Sequence, residues 1–122
     1  MSNKIQHEAI EQEKLFRWIA FIKNEYPEAG LLFHIPNGGS RNKIEAANLK
    51  RQGVRAGVPD LFLPTARGGF HGLFIEMKFG KNKPTQKQKE WLKELDAQGY
   101  AVCVCHGFNE AKDKILKYLN LP

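Results

Sequence analysis

Apolar and polar residues follow two rhythms along the chain, one typical of amphipathic helices and the other of short buried strands. Helical spacing marks four segments, at residues 5–24, 41–53, 83–99 and 109–119. Compact apolar runs between them predict four strands, at residues 31–35, 60–63, 73–78 and 100–105. The resulting order, α-β-α-β-β-α-β-α, predicts an α/β fold in which helices flank one mixed central sheet.

Short polar residues and glycines set the expected boundaries of these elements. Ser40, Thr85 and Asn109 each precede or open a helical segment. They are predicted N-caps, because such side chains accept hydrogen bonds from the free amides at a helix start. The Arg-Gly-Gly sequence at 67–69 indicates a turn between the two middle strands, which would then form an antiparallel hairpin.

Size and composition suit one folded domain that spans residues 1–122. The chain has 122 residues, of which 42% are hydrophobic. No apolar run approaches the roughly 20 residues that cross a bilayer, and the first residues contain no apolar signal core. We therefore expect an intracellular protein with no membrane partner. The net charge of +6 permits binding to nucleic acid, but it also describes an ordinary basic surface.

The two cysteines lie in the last predicted strand. Cys103 and Cys105 are two residues apart, so both side chains point to the same face of that strand. Parallel side chains at this spacing disfavour a disulfide, and we interpret both residues as small members of the core. A metal site with the neighbouring His106 is disfavoured, because no second Cys/His pair completes a zinc pattern.

Charged residues interrupt the two apolar middle strands. Glu76 and Lys78 share one face of the strand at 73–78, and the hairpin brings Asp60 beside Glu76. Two such carboxylates repel each other unless a cation or a shared proton lies between them, and oxygen ligands suit Mg²⁺ or Mn²⁺. Lys78 would add a fixed positive charge that orients water or stabilises a phosphate. The alternative is a surface Glu-Lys pair on an edge strand, which the apolar character of both strands argues against.

The pattern of Asp60, fifteen residues and then Glu76-Met77-Lys78 resembles the PD-(D/E)xK nuclease superfamily. The blocks IPNGGSRNKIEAANLKRQGVRAGVPDLFLP and HGLFIEMKFGKNKPTQKQKEWL resemble more specifically the VRR-NUC family, in its short stand-alone form found in phages and bacteria. The resemblance implies a restriction-endonuclease-like core. It also implies that Asp60 and Glu76 are metal ligands, that the backbone carbonyl of Met77 faces the metal, and that Lys78 is the catalytic lysine.

The first helix and the start of the third carry further candidates. Glu8 and Gln12 lie on the apolar face of the first helix and match a Glu and Gln four residues apart in the family. By resemblance Glu8 contacts the metal, through water, while Glu11 is its rival and a solvated glutamate is the alternative. Gln88 matches a recurrent family glutamine, which either reaches the site or caps the helix.

Several polar and basic residues are candidates for phosphate contacts. Two histidines, His34 and His71, border strands and could also donate to phosphate, although a structural role is more typical. A glycine-rich turn and helix start favour close approach of a phosphate, a plain capped turn being the alternative. Basic residues near the site would fix phosphate register without reading sequence, whereas solvated charge is the alternative for each. These candidates are Asn37, Gly38, Gly39, Ser40, Arg41, Lys43, Lys50, Arg51, Arg55, Lys81 and Lys83.

Together these features predict a Mg²⁺- or Mn²⁺-dependent DNA endonuclease. The resemblance implies branched substrates such as four-way (Holliday) junctions or flaps. Paired cuts in a four-way junction would need two sites, so we expect a homodimer, with a contact surface drawn from Phe21, Tyr26, Phe70 and His71. A general or flap-directed nickase of the same fold, and a DNA-binding module without catalysis, remain the alternatives.

Overall fold

The computed structural model describes residues 2–36 and 42–122, and side chains from residue 7 onward. Helices and strands alternate as the sequence predicts, with one added 3₁₀ helix. The elements are α1 (Ser2–Ile22), the 3₁₀ helix (Pro27–Leu31), β1 (Phe33–His34), α2 (Lys43–Arg51), β2 (Leu61–Leu63), β3 (Leu73–Lys78), α3 (Gln86–Ala97), β4 (Ala101–His106) and α4 (Gly107–Leu119).

The four strands form one mixed sheet in the order β1-β2-β3-β4. β1 and β2 are antiparallel, as are β2 and β3, whereas β3 and β4 run parallel. Leu61 pairs with Ile75, so continuing the register by one residue sets Asp60 opposite Glu76. Both charged middle strands are interior, which confirms that the Glu-Lys pair does not lie on an edge strand.

The core lies between the sheet and the two long terminal helices. Leu15 of α1, Ile115 of α4, and Leu61 and Ile75 of the sheet are fully buried. Burying each such side chain stabilises the fold by about 1.5–3 kcal/mol. The core therefore holds α1 against the sheet, and this packing fixes how the first helix approaches the charged end of β3.

One of the three predicted caps is confirmed. Thr85 Oγ1 accepts from the Gln88 amide at 3.2 Å, and Gln88 Oε1 accepts from the Thr85 amide at 2.8 Å. Each residue thereby satisfies a backbone amide of the other at the start of α3. Gln88 is thus a capping residue, and it also lines the pocket described below.

The other two cap predictions are wrong. Asn42 caps α2, and its Oδ1 accepts from the Glu45 amide at 2.7 Å; Ser40 itself lies outside the described residues. α4 begins at Gly107, so Asn109 lies inside its first turn. Two carboxylates accept hydrogen bonds from the amides at this helix start instead. Glu11, distant in sequence, accepts from the Phe108 amide at 3.1 Å, and Glu110, in the helix itself, accepts from the His106 amide at 2.8 Å.

The first strand and the two cysteines were also the subject of predictions. The first strand is shorter than predicted, because Leu31 ends the 3₁₀ helix and only Phe33–His34 pair with β2. Cys103 and Cys105 are free thiols on one face of β4, with their sulfurs 3.6 Å apart, which confirms the expected absence of a disulfide between them. None of the described helices is long and apolar enough to cross a membrane.

Candidate active site

A cavity of about 410 Å³ opens where β2 begins and β3 ends. Seven predicted site residues line it, contributed by α1, the two middle strands and the start of α3. The full lining is Glu8, Ala9, Gln12, His34, Pro36, Asp60, Glu76, Met77, Lys78, Phe79, Asn82 and Gln88.

Asp60 is held by the ends of two neighbouring strands. Its Oδ2 accepts from the Met77 amide at 2.8 Å, which ties the side chain to β3. Its carbonyl accepts from the Ile35 amide at 2.7 Å and lies 3.0 Å from His34 Nδ1. Both the backbone and the carboxylate of Asp60 are therefore fixed before any ligand binds.

Glu76 is a buried carboxyl with an unsatisfied oxygen. The residue is 1% exposed, and Oε1 has no hydrogen-bond partner within the described part of the chain. Burial, and then the nearby Asp60, raise the pKa of Glu76 to about 8, while Lys78 opposes this shift. A buried polar atom without a partner is costly, so this oxygen suits a bound cation.

Lys78 lies on the same strand face as Glu76. Its Nζ is 3.7 Å from Glu76 Oε2, and its side chain is 15% exposed. Glu76 thus orients a largely buried ammonium at the cavity. Such an ammonium can donate to a phosphate oxygen or to a water molecule there.

The structure separates the two glutamates that compete for the helix role. Glu8 lines the cavity. Glu11 is engaged elsewhere, because Oε1 accepts from the Phe108 amide and Oε2 lies 3.2 Å from Lys14 Nζ. The Phe108 amide, and then Lys14, lower the pKa of Glu11. Glu8 is therefore the glutamate of α1 that faces the cavity.

Asp60 and Glu76 are paired acidic residues at the cavity. Among the described side chains, at residues 7–36 and 42–122, no three His, Cys, Asp or Glu residues are grouped so that they could hold a metal ion. Contact between Glu8 and a cation through water stays a prediction, as does the role of the Met77 carbonyl.

Apart from His34, the candidate phosphate contacts that the structure describes do not line the cavity. Asn37, Gly38, Gly39, Ser40 and Arg41 are outside the described residues. The six others are exposed, and none of them lines the cavity: Lys43, Lys50, Arg51, Arg55, Lys81 and Lys83. Their contact with DNA stays a prediction.

The α2 helix carries three of these basic residues and has no buried residue. The segment after it is fastened to α3, where Trp91 Nε1 donates to the Ala56 carbonyl at 3.0 Å and the Arg55 guanidinium lies 5.9 Å from the Trp91 ring centroid. Gly57 permits this approach, since a Cβ there would lie 3.0 Å from Lys87 and Trp91. α2 is thus attached to the body of the protein through its C-terminal side.

His34 has the structural contact expected of it, with Nδ1 3.0 Å from the Asp60 carbonyl, and it also lines the cavity. Sequence reasoning missed another residue of the lining. Asn82 also lines the cavity, and its carbonyl lies 2.9 Å from His106 Nε2. The position of His34 at a strand end beside Asp60 was the signal available for its own place at the cavity. His71 has the structural role expected, since its ring packs 5.6 Å from that of Tyr100.

A mixed four-stranded sheet flanked by helices, with two carboxylates and a lysine at the ends of adjacent strands, defines a restriction-endonuclease-like core. The family model of the VRR-NUC domain matches residues 4–109. A solved structure described as a "VRR_NUC domain protein" has a TM-score of 0.78 and 33% sequence identity, and covers 94% of this chain and 89% of its own. The chain belongs to the VRR-NUC family, and this membership supports a nuclease function. Comparison with curated proteins gave no match.

Proposed function

We propose that the protein is a Mg²⁺- or Mn²⁺-dependent endonuclease that hydrolyses phosphodiester bonds in branched DNA. One observation carries the metal-dependent part of this proposal. Glu76 is buried beside Asp60, with one carboxylate oxygen that has no hydrogen-bond partner among the described residues. Such an oxygen beside a second carboxylate fits a hard divalent cation.

Asp60 and Glu76 would hold the metal, with the Met77 carbonyl beside them and Glu8 reaching it through water. Bound there, the ion would neutralise charge on the phosphate and make a water molecule more acidic. The Met77 amide already fixes Asp60 Oδ2 at 2.8 Å. This hydrogen bond fixes the orientation of the Asp60 carboxylate and leaves it further lone pairs for a cation.

Lys78 would act on the phosphate and on the attacking water. Its ammonium is held 3.7 Å from Glu76 Oε2 in a largely buried position. Donation from this fixed charge to a phosphate oxygen would be stronger in the transition state, when negative charge on the phosphate oxygens increases. Lys78 would therefore contribute more to the rate of cleavage than to DNA affinity.

Charge and exposure support DNA as the substrate. The chain has a net charge of +6, and exposed basic residues of α2 and the segment after it can contact phosphates: Lys43, Lys50, Arg51 and Arg55. Branched DNA is proposed because it is the substrate class implied by the resemblance to stand-alone VRR-NUC proteins. A general nickase is the competing activity.

We further propose a homodimer, since a four-way junction has two symmetry-related strands and each chain provides one Asp60–Glu76 pair. Of the predicted surface residues, Phe21 is 78% exposed. Tyr26 is engaged within its own chain, with its hydroxyl 3.4 Å from Asn120 Oδ1, and Phe70 packs 6.4 Å from the Tyr118 ring. A contact surface centred on Phe21 is therefore favoured over one centred on Tyr26.

Cleavage of three matched DNAs tests the proposal. We expect cutting of a four-way junction and a flap in Mg²⁺ or Mn²⁺, weaker cutting of linear duplex, and no cutting in EDTA. Equal rates on all three DNAs would favour the general nickase, and full activity in EDTA would reject the metal mechanism. Light scattering should give about twice the chain mass of 13.9 kDa, whereas a monomer mass at concentrations that cut junctions would defeat the homodimer proposal.

A further inference from the structure

A row of four aromatic side chains crosses the sheet. Phe33 of β1 pairs in register with Phe62 of β2, and Phe62 pairs with Phe74 of β3. The Phe62 and Phe74 rings are stacked with centroids 4.1 Å apart, while Phe33 meets Phe62 edge to face at 5.9 Å. Tyr100 ends the row, 5.2 Å from Phe74. We call these four residues the aromatic row.

The aromatic row is next to the paired carboxylates in the register of the sheet. Side chains alternate along a strand, so Phe74 lies on the same face as Glu76, and Phe62 lies two residues from Asp60. Two residues along a strand span about 7 Å. A nucleotide adjacent to a phosphate at Asp60 and Glu76 is therefore within reach of the aromatic row.

Phe33 is the open end of the aromatic row. It lies on the edge strand and is 47% exposed. It pairs in register with Phe62, which lies two residues from Asp60. The backbone also accommodates the row, because a Cβ at Gly72 would lie 2.8 Å from the Phe62 ring. Edge strands usually carry charged or polar residues that discourage association. A half-exposed ring at this edge, beside a phosphate site and on a chain of net charge +6, fits a flat apolar group attached to an anion.

We infer that Phe33 is a stacking platform for an unpaired nucleobase next to the scissile phosphate. This inference rests on the proposed function and narrows its substrate class. Aromatic rings stack on any base that exposes its face. The faces of bases inside a duplex are covered by their neighbours, so only a base released at a branch point or flap can use Phe33. The aromatic row would thus favour branched DNA over linear duplex without reading sequence.

Binding without metal tests the inference separately from cleavage. A flap DNA carries the fluorescent base 2-aminopurine in turn at each of the three nucleotides that flank the branch point, and a linear duplex of the same sequence is the comparison. Wild-type protein in EDTA should quench 2-aminopurine at one flap position and at none in the duplex. Phe33→Leu should lose this quenching and weaken flap binding on the order of ten-fold, while its duplex affinity is unchanged. Phe33→Tyr should retain both. Leu31→Ala is the control for loss of an exposed apolar side chain, since Leu31 is 52% exposed.

Three outcomes would overturn the inference. Wild-type protein that quenches no flap position has no stacking platform, whatever the variants do. Equal losses of flap and duplex affinity in Phe33→Leu would mean that the ring supports the fold or the phosphate contacts. Loss of the dimer mass in Phe33→Leu, with quenching unchanged, would assign Phe33 to a contact between chains. A wild-type protein that stacks the base but cuts no DNA in Mg²⁺ would instead defeat the proposed function alone.

Discussion

Glu76→Gln should stabilise the metal-free protein, and the gain should grow as pH rises. Burial and Asp60 raise the pKa of Glu76 from 4.5 to about 8. The folded protein therefore holds a proton that the unfolded chain releases between these values, so stability is lost as pH rises through this window. Gln has the same shape and cannot ionise, so the variant should escape that loss.

The size of the stability gain in Glu76→Gln follows from the difference between the folded and unfolded pKa values of Glu76. One pKa unit corresponds to about 1.4 kcal/mol, and the interval from 4.5 to about 8 thus gives an upper limit of about 5 kcal/mol at pH 9. The loss of the Glu76–Lys78 pair in the variant offsets part of this gain. At pH 4.5 Glu76 is protonated in the folded state and half protonated in the unfolded chain, so wild type and variant should have nearly equal free energies of unfolding.

Urea denaturation in EDTA at pH 4.5 to 9 measures the difference. Glu94→Gln is the control, because it removes an exposed carboxylate from α3 and should follow the wild-type curve. Mg²⁺ should restore wild-type stability at high pH and leave Glu76→Gln unchanged, since a bound cation replaces the proton. Parallel pH profiles for wild type and Glu76→Gln would refute the reasoning, as they would mean that Glu76 ionises without cost in the folded protein.

Three further predictions concern activity and DNA binding. Asp60→Ala should abolish cleavage, measured on a flap DNA, and leave DNA affinity largely intact, because it removes a ligand and not a phosphate contact; wild-type rates in this variant would contradict the site. Lys78→Ala should lower the single-turnover rate far more than the affinity, since one cation among many contributes little to binding; the reverse pattern would move Lys78 to the DNA surface. The third prediction replaces three exposed basic residues with Gln: Lys50, Arg51 and Arg55. The slope of log affinity against log salt concentration should fall in magnitude by up to about three. An unchanged slope would mean that these residues do not contact DNA.

The proximity of Asp60, Glu76 and Lys78 could be predicted because it depends on local rules. Strand alternation fixes the faces of Glu76 and Lys78, and a short hairpin sets Asp60 opposite Glu76. The choice between Glu8 and Glu11 could not be made in this way. It depends on α4, whose Phe108 amide, 97 residues along the chain, engages Glu11. Contacts this distant in sequence leave no periodic signal.

The mistaken cap at Asn109 has the same physical origin. A helix start needs partners for its amides, but those partners do not have to be adjacent residues. Here Glu11 and Glu110 supply them, so α4 begins directly after β4 and no capping residue is required in between. Local sequence predicts the existence of this helix well, and its first residue poorly.

The absence of buried residues in α2 has a consequence for how such a nuclease changes over time. Substitutions across Lys43–Arg51 remove no core contact, and exposed changes of this kind usually alter folding free energy by less than about 0.5 kcal/mol. Ile44, 77% exposed, can be exchanged as readily as the charges around it. The sequence of the helix can therefore change, while Trp91 keeps its attachment and Asp60 and Glu76 keep their geometry. Under the proposed contact between α2 and DNA, a lineage could in this way acquire a new DNA preference by mutation of one helix, without first gaining stability elsewhere.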